Sequence, residues 1–292
     1  YYDVERKSVN ISIPASLPTG EYTLWGEINQ GDSIISRNMT EIYIANTMSM
    51  RSQKKPEKKV TLYDPKGKTR EALQNLNIRF KEIGSFDQLQ PGDETLVIGS
   101  LSWNDQINQS TDELKSFVRE GGRVLCLLQN PSSFNTEWLP SNVKLQTEPL
   151  DHGKYYPGGR PFRNGMAVNP ERPDHPVFKG INRDRLFLWS DYSNWDQSKD
   201  GFPQIYPVAQ GFKLEDKESL ARTAILANYD HGLEGIALAE MFDGKGSVIL
   251  SGFDIINRAG LDPVADQMLS NLISYSTSEI SHNTYPYIDS KI

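Results

Sequence analysis

Glu113-Leu-Lys-Ser-Phe-Val-Arg-Glu-Gly-Gly-Arg-Val-Leu-Cys-Leu-Leu-Gln129 is the stretch of sequence that decides the fold. Its first part has apolar residues at helical spacing and predicts a helix over residues 112–120, with Thr111 as N-cap. The pair Gly121-Gly122 ends that helix. Residues 123–128 are nearly continuous in apolar side chains, as expected for a strand with both faces covered by helices. This pattern predicts an α/β domain built on a parallel sheet.

Strands and helices alternate along the chain on both sides of this unit. Asp262-Pro263 begins a closing helix, with the aspartate as N-cap and the proline at the first helical position. Residues 130–222 are rich in proline, glycine and aromatic side chains and receive no assignment. Residues 60–278 are therefore predicted to form a doubly wound, mostly parallel sheet of the flavodoxin-like kind. The predicted strands are 60–63, 78–83, 95–99, 123–128, 224–227, 235–242 and 247–252, and a further helix is 69–76.

The first 46 residues have the period-two alternation of strands. It is clearest over Ser8–Ile13, Tyr22–Ile28 and Thr40–Ile44, with Ile34-Ile35 between the last two. Three or four strands are too few for an immunoglobulin-like sandwich, which needs about seven. Residues 1–46 are therefore predicted to be part of an all-β immunoglobulin-like sandwich whose other strands lie upstream of Tyr1.

A basic, polar stretch that contains a proline separates the two regions. Because no aromatic residues interleave with its charges, residues 47–59 are predicted to be a linker rather than a site for nucleic acid. Residues 279–292 form a C-terminal tail.

Composition excludes several classes of function. The 292 residues carry a net charge of −7, which argues against nucleic acid and anionic membranes as partners. No apolar run reaches the roughly 18 residues of a membrane span. A single cysteine excludes an internal disulfide, and the four histidines have no metal-ligand spacing, so neither a metal nor a cofactor is predicted.

Five segments of the chain carry a family resemblance. Residues 244–254 and 262–275 resemble the closing segment of class I glutamine amidotransferase-like domains in large bacterial glycoside hydrolases, and residues 113–125 resemble their central helix–strand unit. Ile13-Pro-Ala-Ser-Leu-Pro-Thr-Gly-Glu-Tyr-Thr-Leu24, with Ser36-Arg-Asn38, is similar to the last strands of the β-sandwich that precedes this domain in family 2 glycosidases of the β-galactosidase type.

The resemblance implies a bacterial, secreted or periplasmic protein that takes part in carbohydrate degradation. A related domain mediates trimerisation in family 42 β-galactosidases, which implies an assembly role and a homo-oligomer. The resemblance supplies no catalytic residue. The two carboxylates of a retaining glycosidase lie on a barrel of about 250 residues, which would not fit in this chain beside the predicted strands and linker. The catalytic domain, as a partner in the same polypeptide, is then expected upstream.

Amidotransferase domains carry a nucleophilic cysteine on a sharp strand-to-helix turn. Cys126 instead lies inside the apolar strand, between Leu125 and Leu127, and no His-x-Glu pair follows the last strand. We therefore expect a buried structural thiol and no catalytic residue. Use of Cys126 by a small hydrolase or amidase is the third alternative for function.

Aromatic and charged side chains cluster in two loops of the middle region. Aromatic faces and charged groups together are typical of sugar sites, but they are also enriched at protein interfaces. A carbohydrate-binding module is accordingly the second alternative for function, with a glycan as partner. The candidate residues, for sugar or for interface, are Tyr155, Tyr156, Arg160, Arg163, Trp189, Asp191 and Trp195.

Three further combinations of charged residues are interpreted as structural rather than functional. Asp174-His175 and Asp230-His231 are adjacent in sequence, and adjacent strand residues point to opposite faces. Asp254 and Arg258 follow the last predicted strand and are expected to pair with each other. The order of the domains and the missing nucleophile give the first expectation for function. It is a non-catalytic accessory and assembly region of a multidomain glycoside hydrolase.

Overall fold

The computed structural model describes residues 9–44, 56–87, 89–92, 94–146, 167–187, 189–191, 204–206, 208–229 and 235–279. The chain divides into two compact units, residues 1–53 and 54–292. Within the described ranges, no helix is long and apolar enough to cross a membrane.

The first unit contains a long antiparallel hairpin. Strand β1, Gly20–Gln30, pairs with strand β2, Ser33–Ile44, across a turn in which Gly31 has a φ of +59°. The strand predicted over residues 22–28 is confirmed, and the two short strands predicted after it are one strand. The strand predicted over residues 8–13 is wrong for its described part, because residues 9–13 pair with no strand among the residues that the structure describes. The two described strands do not show an immunoglobulin-like sandwich.

The two faces of this hairpin differ in charge. Residues directly opposite in an antiparallel pair share a face, and successive residues alternate between faces. We name the uncharged face by its residues Gly20, Tyr22, Leu24, Gly26, Ile28, Ser36, Asn38, Thr40, Ile42 and Ile44. Opposite it lies the charged face, formed by Glu21, Thr23, Trp25, Glu27, Arg37, Met39, Glu41 and Tyr43.

The second unit is built on a mixed sheet with a parallel half. Its strands stand in the order β4, Lys81–Glu82; β3, Lys59–Tyr63; β5, Glu94–Ile98; β6, Arg123–Cys126; and β14, Gly246–Ser251. All neighbours in this half are parallel. Numbered along the chain, the order second-first-third-fourth-fifth is that of flavodoxin-like sheets. The second unit is thus an α/β fold.

The other half of the sheet is antiparallel. Strand β13, Gly235–Asp243, turns directly into β14 at Gly244-Lys245, and a turn this short leaves no room for the crossover that a parallel pair requires. The sheet is therefore less parallel than the sequence predicts. The other antiparallel strands are β7, Val143–Leu145; β8, Val168–Pro170; β11, Phe212–Leu214; and β12, Thr223–Tyr229. Trp189–Asp191 (β9) and Gln204–Tyr206 (β10) form a separate two-stranded ribbon.

The helices follow the sequence signals closely. The closing helix begins at Pro263, and Asp262 Oδ1 accepts a hydrogen bond from Val264 N at 2.8 Å, as predicted. The helix predicted over residues 112–120 is present, but Ser110 rather than Thr111 is its N-cap. The helices are α1, Lys68–Asn75; α2, Asp105–Gln109; α3, Thr111–Arg119; α4, Lys217–Ala221; α5, Ile255–Arg258; and α6, Pro263–Ser276.

A buried ion pair ties α6 to the sheet. Arg123 Nη2 lies 2.6 Å from Glu240 Oε1, and the two side chains are 2% and 0% exposed. The same arginine donates to the carbonyl oxygens of Tyr275 and Ser278, at the end of α6. Ser247 Oγ and Tyr275 Oη also donate to the Glu240 carboxylate. This cluster lies at the amino end of β6 and satisfies both buried charges.

His175 packs beside this cluster. Its Nδ1 accepts a hydrogen bond from Val177 N and so caps a short 3₁₀ turn, while its ring meets the Tyr275 ring edge-on with centroids 4.5 Å apart. Burial is the main cause that lowers the pKa of His175 to about 4; the Glu240 charge opposes this shift, and the charges of Arg172 and Arg123 add to it. The histidine is therefore neutral in the folded protein at pH 7.

Candidate functional site

The carboxyl ends of parallel strands β3, β5 and β6 meet at one edge of the sheet. In doubly wound folds, ligands bind at this edge, where the strand order reverses. The reversal here lies between β3 and β5. Asp64 directly follows β3, the segment Gly99–Ser102 follows β5, and Gln129 follows β6. These residues form the candidate site, which we name the carboxyl-end network.

The Asp64 carboxylate occupies the place that an anionic ligand would take. Its Oδ2 accepts a hydrogen bond from Arg70 N at 2.8 Å, in the first turn of α1. The amino end of a helix attracts anions through its free N–H groups and its dipole. Gly99 makes room for the carboxylate, since a Cβ there would lie 2.8 Å from Asp64 Oδ1. The chain therefore fills this helix terminus with its own negative charge.

A sharp turn leads from β5 toward α2, and it carries no nucleophile at its strained residue. It follows β5, where Leu101 has a φ of +53° and its N–H donates to Leu128 O at 2.7 Å. Leucine rarely adopts a positive φ, which indicates a strained position held by its surroundings. An aliphatic side chain at this point cannot attack a substrate.

The serines that flank this turn are tied into the network. Ser102 is 1% exposed and its hydroxyl donates to Asp64 Oδ1 at 3.0 Å. Ser100 N donates to the hydroxyl of Thr69. The Gln129 amide donates to Gly99 O, and its carbonyl accepts from Trp103 N. These buried groups are paired with one another, as buried polar groups require.

Asp254 and Arg258 follow the end of β14 and are 1% and 3% exposed. Asn257 Nδ2 donates to Asp254 Oδ1 at 2.7 Å. The ion pair expected between Asp254 and Arg258 stays a prediction. Burial removes both side chains from contact with a ligand in solution.

The chemistry available at this edge is accordingly limited. The acid, the amide and the hydroxyls that could act on a substrate are buried and hydrogen-bonded within the protein. Among the residues that the structure describes, no group of three or more His, Cys, Asp or Glu could hold a metal ion. The network stabilises the loops at this edge rather than presenting reactive groups.

Cys126 lies on β6 beneath this network and is fully buried. Burial raises the pKa of its thiol, so the reactive thiolate does not form at neutral pH. As expected from the sequence, it has no place in an exposed turn.

The native protein is expected to react with iodoacetamide at least about a hundredfold more slowly than the protein unfolded in guanidinium chloride. Labelling followed by mass spectrometry measures both rates. Glutathione, labelled under the two conditions, corrects for the effect of the denaturant on the reaction itself. Equal corrected rates would show an accessible thiol and would restore the hydrolase alternative.

The structure describes two of the seven residues in the predicted sugar or interface cluster. Trp189 is 2% exposed, stacks on Phe253 with centroids 6.4 Å apart, and donates from Nε1 to Arg185 O. Its ring is therefore used in packing. Asp191 ends strand β9. The remaining five, Tyr155, Tyr156, Arg160, Arg163 and Trp195, lie outside the described residues, and the cluster stays a prediction.

Sequence reasoning missed the carboxyl-end network. The available signal was a polar residue directly after two of the predicted strands: Asp64 after 60–63, and Ser100 after 95–99. Such residues at the ends of parallel strands converge on one edge. Leu101 carried no signal, because its backbone conformation depends on the contacts around it.

Comparisons with known proteins give likenesses of fold only. No protein-family model and no curated protein matches the sequence. An exo-β-1,4-mannosidase of the Opitutaceae bacterium strain TAV5 is 13% identical with a TM-score of 0.38, over 80% of this chain and 36% of its own. A β-galactosidase of Bacillus circulans is 14% identical with a TM-score of 0.42, over 77% and 32%. A cytoplasmic protein of Salmonella typhimurium is 12% identical with a TM-score of 0.42, over 87% and 95%.

The chain thus spans about a third of the length of the two glycoside hydrolases, and nearly all of the Salmonella protein.

Proposed function

We propose that this chain is a non-catalytic accessory and assembly region of a multidomain bacterial glycoside hydrolase of the β-galactosidase type. One observation carries the absence of catalysis: the Asp64 carboxylate fills the ligand edge of the sheet. A leucine at the strained turn and a buried thiol at Cys126 agree with it. On this proposal, the α/β unit contributes to assembly through contacts at its surface and through the stability of its fold.

The hairpin supports the role in assembly. Leu24 and Ile28 on the uncharged face are 36% and 61% exposed, and a two-stranded hairpin alone is marginally stable in water. A sheet face without charges gains stability when another layer covers it. We propose that the catalytic part of the same polypeptide, or a second copy of this chain, covers this face.

The carbohydrate-degrading parent is proposed from a resemblance to glycoside hydrolases of this type, which covers residues 13–24, 36–38, 113–125, 244–254 and 262–275. The same resemblance motivates the proposal of a secreted or periplasmic location. The parent enzyme and the location are both proposals that do not follow from the fold alone.

Purified protein is expected to hydrolyse aryl glycosides no faster than a blank without enzyme, and to self-associate through the uncovered hairpin. Ile28→Lys places a charge on the uncharged face and is expected to reduce the oligomer fraction at least about fivefold, because a buried unpaired charge opposes association. Light scattering at several protein concentrations measures that fraction.

Thr23→Lys is the matched control, since it adds the same charge to the charged face of the same strand. It should leave the oligomer fraction unchanged. Equal effects of the two variants, or a chain that stays monomeric at every concentration, would rule out self-association through this face. Glycosidase activity lost in Asp64→Asn would overturn the non-catalytic role.

A further inference from the structure

A cleft of about 430 Å³ lies away from the carboxyl-end network, at the outer edge of strand β12. Its size falls in the range of ligand-binding clefts, roughly 300–1,000 Å³. We name it the edge cleft. Its lining is Glu171, Arg172, Leu220, Ala221, Arg222, Thr223, Ala224, Ile225, Asn228 and Phe242.

The backbone along this cleft has an open strand edge. Phe242 N donates to Arg222 O, which makes the adjacent pair, Thr223 and Met241, one that exchanges no hydrogen bonds in the β12–β13 ladder. Such pairs alternate in an antiparallel ladder, so Thr223 and Ile225 turn their N–H and C=O groups away from β13.

The strand on that side ends before it reaches them. Strand β8 pairs only with Ala227–Tyr229, and Glu171 N donates to Leu226 O as the chain leaves the edge. No strand within the described ranges pairs with residues 223–225 on this side. The open length is about 10 Å, at about 3.3 Å per strand residue, which suits three residues of an added strand.

The side chains around the open edge are apolar with a charged rim. Leu220 is 50% exposed, and Ile225 is half-buried beside it. Arg222 Nη2 lies 3.0 Å from Glu218 Oε1, but the Glu218 side chain is 82% exposed, so the pair contributes little and a second carboxylate can compete for the arginine. Phe242 is 6% exposed and presents no open ring face on which a sugar could stack.

We propose that the edge cleft binds an extended peptide segment of a partner protein, which adds a short strand to β12 next to the end of β8. The peptide backbone bonds to Thr223 and Ile225, an apolar side chain packs on Leu220, and an acidic side chain meets Arg222. This is strand addition with side-chain selectivity at the cleft. It holds whether or not the chain belongs to a glycoside hydrolase.

Hydrogen exchange of the free chain tests the open edge. The amides of Thr223 and Ile225 should exchange at least about a hundredfold faster than that of Ala224, which bonds to β13. Comparable protection of all three amides would mean that the edge is already covered, and would overturn the proposal.

Peptide binding tests the site itself. The probes are capped pentapeptides of alternating threonine and valine with a central glutamate or lysine, titrated to about 5 mM against the ¹⁵N-labelled chain and followed by amide shifts. We expect saturable shifts at residues 223–226 with the glutamate peptide, and binding at least about fivefold weaker with the lysine peptide. The absence of shifts at residues 223–226 with either peptide would overturn the proposal. The proposal would also be overturned if cellobiose, added as a competing sugar, shifted the same amides and displaced the peptide.

Two variants test the contacts. Ile225→Pro removes one outward N–H at an open edge, where proline is tolerated, and Leu220→Asp charges the apolar wall. Each should weaken peptide binding at least about tenfold, and Leu220→Asp still decides the matter if Ile225→Pro does not fold. Leu261→Asp is the matched control, because Leu261 is 69% exposed and lies outside the cleft lining. Binding that is unchanged in Leu220→Asp, or lost equally in Leu261→Asp, would contradict the proposed site.

Discussion

Replacing Arg123 with methionine is expected to lower the free energy of unfolding by about 3–5 kcal/mol. The substitution leaves Glu240, whose side chain is 0% exposed, as a buried charge without its cation. It also removes the donors to the carbonyl oxygens of Tyr275 and Ser278, which hold the end of α6. Urea denaturation followed by circular dichroism measures the loss.

Arg119→Met is the matched control for this prediction. Arg119 pairs with Asp243 at 2.9 Å, but its side chain is 65% exposed, so the expected loss is below about 1 kcal/mol. Replacing Glu240 with leucine together with Arg123→Met should recover a large part of the loss, since the double variant buries no charge. Equal losses for Arg123→Met and Arg119→Met would contradict the account of the buried pair.

Lowering the pH from 7 to 4 is expected to remove about 3 kcal/mol more stability from the natural protein than from His175→Asn. The pKa of His175 is about 4 in the folded protein, against about 6.5 in the unfolded chain. Between these values the unfolded chain binds the proton and the folded protein does not. The contribution of neutral His175 to the free energy of unfolding is therefore complete above pH 6.5, falls as the pH decreases, and is lost by about pH 4.

Asparagine suits this comparison because it can still cap the 3₁₀ turn by accepting from Val177 N, while it cannot be protonated. Burial raises the pKa of Asp262 and Asp266, which opposes the histidine effect, but both titrate in the two proteins alike. Urea denaturation at each pH gives the two stability curves. Curves that stay parallel from pH 7 to pH 4 would show that His175 does not titrate with this shift.

Local signals in the sequence predicted many of the elements correctly. The pair Gly121-Gly122 ends α3 because Gly121 adopts a φ of +112°, which glycine alone takes readily. Asp262-Pro263 starts α6 because the cap and the fixed φ of proline act within a single turn. The apolar run around Cys126 indicated a strand buried on both faces, and its residues are buried.

Direction and partnership of strands were harder to predict. Residues 235–242 read as a strand, but their antiparallel pairing depends on the short turn to β14 and on a neighbour, β12, that comes earlier in the chain. Residues 9–13 alternate as a strand does, yet alternation does not provide a partner for their backbone.

The sequence by itself determined that strands and helices are combined in the second unit, and that the only thiol is buried in a strand. Both follow from periodicity and capping, which act over a few neighbouring residues. Only the tertiary structure decided that Asp64 fills the ligand edge, that Arg123 meets Glu240, and that β12 keeps an open edge. These features join residues up to 117 positions apart, and such contacts depend on how the sheet is ordered rather than on any local pattern.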